Sequence, residues 1–183
     1  MFDFFKKKKK QEEQGLHYDP SDVTVSDIRR GFLLDYDLQT WVAEEEFEYD
    51  WGNNLFSYEF KLTNAKDTIY LSLDEERSLV CTILRPLKFA KLGDEVEKAI
   101  IDNEKPPRSI TYEGTTYYRE RERPGYFRNI QTENWEEFIM WKYVDDTEKK
   151  ILIIEQWDVE EFEAWIGIVV PENAISNILP NQS

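Results

Sequence analysis

Residues 56–76 read FSYEFKLTNAKDTIYLSLDEE, and residues 135–157 read WEEFIMWKYVDDTEKKILIIEQW. Each passes from an aromatic-rich alternating stretch, through a polar turn, into a short aliphatic stretch that ends in acid. Alternation with a period of two sends successive side chains to opposite faces, which is the pattern of a strand. The two stretches therefore read as β-hairpins, the second echoing the first. Phe60 falls opposite Phe138, and Leu71 opposite Ile151 or Leu152, once two residues are inserted in the second turn. The expectation is an internal duplication of one β unit.

Working outward, the same period continues on both sides. Phe47, Tyr49 and Trp51 alternate with Glu46, Glu48 and Asp50, giving one aromatic and one acidic face, and Gly52-Asn-Asn54 is turn material. Leu79–Leu84 is a further apolar run closed by Pro86. Val96, Ala99 and Ile100 change the spacing to that of a helix, near 91–105, which Pro106 and Pro107 terminate. Strands resume at Ile110 and run to Val170. Upstream, Thr24 and Asp27 have capping-box spacing before Gly31. Residues 1–20 show no sustained period and read as a flexible, basic-tipped tail. The expected architecture is mostly β (a β-rich α+β fold) in a single domain, 21–183. Two similar antiparallel meander lobes, about 21–90 and 109–180, pack as a sandwich or as curled sheets. One connecting helix lies across an open edge or end.

Composition narrows function mainly by exclusion. The chain has 183 residues, 40% hydrophobic and 15% aromatic, with a formal charge of −15. The first ten residues contribute +4, so the rest carries −19. An acidic body argues against a nucleic-acid partner, which would need clustered Lys and Arg. Cys81 is the sole cysteine, so no intrachain disulfide forms. The start, MFDFFKKKKK, has its charge after its apolar residues and does not read as a signal peptide, and no apolar run reaches the ~18–20 residues of a membrane span. The expected location is the cytoplasm, with peripheral contact at the inner face of the membrane.

The order of these segments resembles the bacterial proteins grouped as domain of unknown function 4178. The residues that carry the resemblance are Ile28-Arg-Arg-Gly31, Tyr58-Glu59, Tyr70-Leu-Ser-Leu73, Tyr112-Glu-Gly114 with Tyr117, Gly125-Tyr-Phe-Arg128, Ile153-Ile-Glu155-Gln-Trp157 and Phe162-Glu-Ala-Trp-Ile-Gly167. The likeness spans roughly residues 24–180. What it implies is an accessory role at the membrane surface or in polyamine handling, with no functional residues to carry over.

Catalytic chemistry finds little support in the residues. His17, the single histidine, lies in the tail, so a Ser-His-Asp or Cys-His centre and a His/Cys zinc site are not expected. Cys81 reads as a small buried hydrophobe. With seven glycines, neither GxGxxG nor GxxxxGK[ST] is present, so no nucleotide cofactor is expected. The acidic runs read first as solvated turns and second as metal or cation ligands. Trp41, Glu46, Glu48, Trp51, Trp141 and Trp165 are the candidates for an aromatic, acidic groove that would suit a cation. Phe2, Phe4 and Phe5 with Lys6, Lys7, Lys8, Lys9 and Lys10 are the candidates for a tether to an anionic membrane. The leading expectation is a non-enzymatic accessory or interaction protein with a protein partner. The rivals are a binding module for polyamines or other organic cations, and a metal-dependent enzyme that uses carboxylates.

Overall fold

A computed structural model describes residues 23–132 and 134–180. The tail, with His17 and the candidate membrane tether from Phe2 to Lys10, lies outside the described residues. Eleven strands occur among them: β1 (Leu33–Tyr36), β2 (Gln39–Asp50), β3 (Phe56–Thr63), β4 (Thr68–Asp74), β5 (Val80–Leu87), β6 (Ser109–Tyr112), β7 (Thr115–Asn129), β8 (Glu136–Val144), β9 (Lys150–Asp158), β10 (Glu161–Val170) and β11 (Ser176–Leu179). The helix α1 (Asp94–Asn103) sits between β5 and β6. The chain is mostly β, as its alternation requires. Among the described residues no helix is long and apolar enough to cross a membrane.

Strands β1–β5 form one antiparallel meander and β6–β10 a second in the same order. The two join along β5 and β10, from Cys81↔Val170 to Leu87↔Ala164. They meet again where the end of β2 pairs with the end of β7, from Phe47↔Asn129 to Asp50↔Tyr126. The order β2-β3-β4-β5-β10-β9-β8-β7 therefore closes into a ring of eight strands. The first halves of β2 and β7 splay away to pair with β1 and β6, and β11 adds outside β1. Both meanders open on the same tight turn. Asp37 and Leu38 have φ of 49° and 59°, and Glu113 and Gly114 have φ of 48° and 77°, the paired left-handed residues that a two-residue hairpin needs to follow the strand twist.

Closure buries both faces of the ring strands. Outside the first meander, Phe60, Leu62, Leu71 and Trp41 pack under Val25, Ile28 and Ile178. Outside the second, Trp141, Tyr143, Leu152 and Ile154 pack under Leu92, Val96 and Ile100. The helix thus covers a sheet face rather than the expected open edge or end. Its acidic first turn, Asp94, Glu95 and Glu97, complements the positive end of the helix dipole. A third cluster, Tyr49, Phe138 and Met140 with Trp51, Phe127 and Trp157, fills the inside.

These faces correct the sequence alignment, which has the wrong parity at Phe60 and Phe138. Phe60 points outward and Phe138 inward, so they are not equivalents; Tyr143, which pairs with Leu152 as Phe60 pairs with Leu71, occupies the outward position. The alternative of Leu71 with Leu152 places both residues outward. A one-residue slip exchanges every side chain between faces, which is why a pattern match at the wrong parity still looked convincing. At the β5–β10 seam, a Cβ on Gly167 would overlap the Ile83 carbonyl oxygen, so only glycine permits the close approach there.

Candidate functional site

Residues paired across neighbouring strands share a face, and the register defines what lines the ring. Phe47 faces Glu59, Tyr49 faces Ser57 on one side and Phe127 on the other, and Glu163 faces Glu155. At this end of the ring a cavity of about 750 Å³ opens, within the range of small-molecule sites. Aromatic rings make its walls. Trp157 stacks on Phe138 with centroids 4.8 Å apart and meets Phe127 edge-on at 5.2 Å, and Tyr70 meets Trp165 at 4.9 Å.

Seven carboxyl groups line the same cavity and no basic side chain does. Glu136, Glu137, Asp158 and Glu161 are exposed at its rim, and Glu163 is exposed beside them. Glu59 and Glu155 lie deeper, 6% and 5% exposed. Glu59 accepts one long hydrogen bond, 3.4 Å, from the Tyr49 hydroxyl, and Glu155 accepts one of 3.0 Å from the Trp165 indole N–H. The second oxygen of each accepts none from the described residues, and none of their salt bridges reaches either carboxyl.

That environment governs protonation. Burial pushes Glu59 up to about 7, with the nearby Glu163 adding to the rise and the Tyr49 hydroxyl opposing it. Burial pushes Glu155 up to about 8, reinforced by Glu59 and Glu163 and opposed by Trp165. Glu163 is also raised, by desolvation and then by Glu161. The buried Trp157 indole N–H has no partner at hydrogen-bond length, although it stands near enough to Glu163 to lower it somewhat. Two acids in a low-dielectric site have two ways to avoid facing each other ionised: keep protons, or take a cation between them. Among the described residues no group of three or more His, Cys, Asp or Glu is placed to hold a metal ion.

The other end of the ring differs. Its smaller cavity, about 290 Å³, is lined by Arg121, Lys142, Ser57, Ser72 and Asp74 among others. There Arg121 is held by Glu76 at 2.6 Å and Lys142 by Glu120 at 3.3 Å, while Arg77 also lines the cavity. Arg123 lies 4.9 Å over the Trp51 ring.

The residues expected to form one groove do not converge. Trp41 and Trp141 are 1% and 0% exposed in the two outward clusters, their N–H groups given to the Tyr36 carbonyl and to Glu122. Glu46 accepts the backbone N–H of Arg30, and Glu48 holds Arg128. Trp51 packs inside, donating to Ser57 at 2.8 Å. Trp165 alone lines the acidic cavity. Parity explains the failure: in the second half of β2, Phe47 and Tyr49 point in and Glu46 and Glu48 point out, so these acids cannot share a wall with those aromatics. The acids that do share it come from β3, β8, β9 and β10.

Residues 29–172 match the family described as Domain of unknown function (DUF4178). The chain belongs to the DUF4178 family. The matched span contains β1–β10, hence the whole closed ring and every residue lining the acidic cavity. A curated relative of this DUF4178 chain, an uncharacterized protein of Aquifex aeolicus (strain VF5), is 23% identical over 177 residues, covering 96% of this chain and 94% of its own length. No solved structure matches.

Proposed function

We propose that this protein is a non-catalytic accessory module that binds an organic cation of the polyamine class inside the acidic end of its strand ring. The single observation that carries the reading is a cavity walled by aromatic rings and lined by seven carboxyls without a basic residue. Aromatic faces attract ammonium groups by their quadrupole, most strongly where water is excluded. They also cover the methylene segments between charges. A bare metal ion would use neither property.

Binding rather than turnover fits the protonation pattern. Carboxylate pairs that perform acid/base chemistry have environments that drive their pKa values apart, leaving one group ionised as nucleophile or base. Here burial drives Glu59 and Glu155 the same way. Beyond its seven carboxyls the lining offers only phenols, indoles and phenyl rings.

Calorimetry with spermidine at physiological salt tests the proposal. General attraction to an acidic body is screened over about 8–10 Å under those conditions, so saturable heat with one site per chain is the expected result. Glu59→Gln is expected to weaken binding by about tenfold or more, the scale of one charge-assisted hydrogen bond. Glu48→Gln, on the outward face, is expected to leave it unchanged. Heat that appears only at low salt, or equal losses in the two variants, would refute the site.

A further inference from the structure

Two nearly buried carboxyls face the cavity, each with one oxygen unmatched and each touched only by a neutral donor, Tyr49 on one side and Trp165 on the other. No lysine or arginine lines the cavity to neutralise them. An occupant must satisfy both the charge and those unmatched oxygens. A quaternary ammonium supplies charge but no N–H donor. A primary or secondary alkylammonium supplies both, and the aromatic walls receive its methylenes.

Resting on the cation-binding reading above, we propose that the site takes its ligand by proton exchange: an N–H-bearing alkylammonium enters between Glu59 and Glu155 as these carboxyls release their protons to the solvent. The empty pocket then holds neutral acids and the filled pocket holds carboxylates against the ammonium. Each proton lost is matched by a ligand charge gained, so the buried site never carries two uncompensated negative charges. The rim acids, Glu136, Glu137, Asp158 and Glu161, are exposed and meet the ligand's outer ammonium.

The groups facing the exchanging pair are known from each adjoining strand. β2 contributes Tyr49 and β4 contributes Tyr70, both phenols raised above their ordinary value by burial and neutral throughout the relevant range. β10 contributes Glu163 and Glu161, and β8 and β9 contribute Glu136, Glu137 and Asp158. Of these acids, Glu163 repels negative charge on both members of the pair and so favours the protonated empty state. Lys61, at the edge of β3, is engaged with Glu44 and Glu45. With Glu59 at about 7 and Glu155 at about 8, exchange falls at neutral pH, where alkylamines near pKa ~10 stay charged.

The test is spermidine calorimetry near pH 7 in phosphate and in Tris, whose ionisation heats differ widely, repeated from about pH 6 to about pH 8.5. The expected result is buffer-dependent heat corresponding to about one to two protons released per ligand, with affinity rising about tenfold or more over that range. Choline is expected to bind about tenfold more weakly than spermidine, lacking N–H donors. The Glu59→Gln Glu155→Gln chain, checked for folding by circular dichroism, is expected to lose the buffer dependence. Spermidine binding with heat independent of buffer and affinity flat with pH would overturn the exchange while leaving the cation site standing. No saturable heat in either buffer at any pH would overturn the site itself and the exchange with it.

Discussion

Replacing Glu59 and Glu155 together by glutamine is expected to stabilise the ligand-free protein at about pH 8.5 by about 3–5 kcal/mol more than it does near pH 5.5. In the unfolded chain both groups ionise near the ordinary carboxyl value of 4.5, whereas in the fold they hold protons to about 7 and about 8. Between those limits the folded state binds more protons than the unfolded state. Stability is therefore fully present below about pH 4.5 and is lost as pH rises through 7 and 8. The two groups repel each other, so the cost of ionising them is shared and not doubled. Glutamine is shaped like the protonated acid and does not ionise, and the Tyr49 hydroxyl and Trp165 N–H retain an oxygen to donate to. The carboxyls that the fold lowers, such as Asp67 beside Arg85 and Glu76 beside Arg121, lose their contribution only in acid. They leave the slope between pH 5.5 and 8.5 to the buried pair and to Glu163, which is raised beside it. Denaturant melts of both chains at the two pH values measure the effect. A natural chain that gains stability toward pH 8.5 would contradict it.

Trp141→Ala is expected to cost about 3–5 kcal/mol at any pH in that range. The indole is wholly buried under α1, among Val96, Ile100, Tyr143 and Ile154. Its removal loses the transfer energy of a large ring and leaves a cavity that a closed ring of strands cannot collapse to fill. A loss of that size is a large share of a typical domain's ~5–15 kcal/mol. It should lower the melting midpoint by about 10 °C for a chain of this length. Leu38→Ala at the exposed hairpin tip serves as the control, expected within about 0.5 kcal/mol of the natural chain. Equal effects of the two changes would mean that α1 does not cover the second meander.

Much of the fold was legible because alternation is a backbone property. The strands around residues 47–51, 56–62 and 135–144, the helix beginning near Val96 and the hairpin at Glu113-Gly114 all follow from period and turn chemistry. Ring closure was not legible. It depends on four residues of β2 meeting four of β7 about 80 positions away, and nothing local marks that pairing. The site was missed for the same reason. In β3, Ser57, Glu59 and Lys61 read as a wet face, because a half-buried strand has one; closure turns that face into the lumen. One signal was available in the second meander. Ile151-Leu-Ile-Ile154 does not alternate, the mark of a strand covered on both sides, and an acid continuing that run, Glu155, could have been expected inside. The aromatics were overread for the opposite reason: Trp41 and Trp141 are large because two outward cores need filling, and they have no part in the cavity.

The most direct measurement is a crystal structure of the chain grown above about pH 8 with spermidine, since both buried carboxyls are then ionised. The account predicts density for a linear amine inside the ring, one nitrogen within hydrogen-bond reach of both Glu59 and Glu155, its methylenes against Trp157 and Trp165, and a second nitrogen near the acids of the rim. Spermidine found only on outward acids such as Glu44 or Glu48, with the space between Glu59 and Glu155 holding water alone, would contradict it.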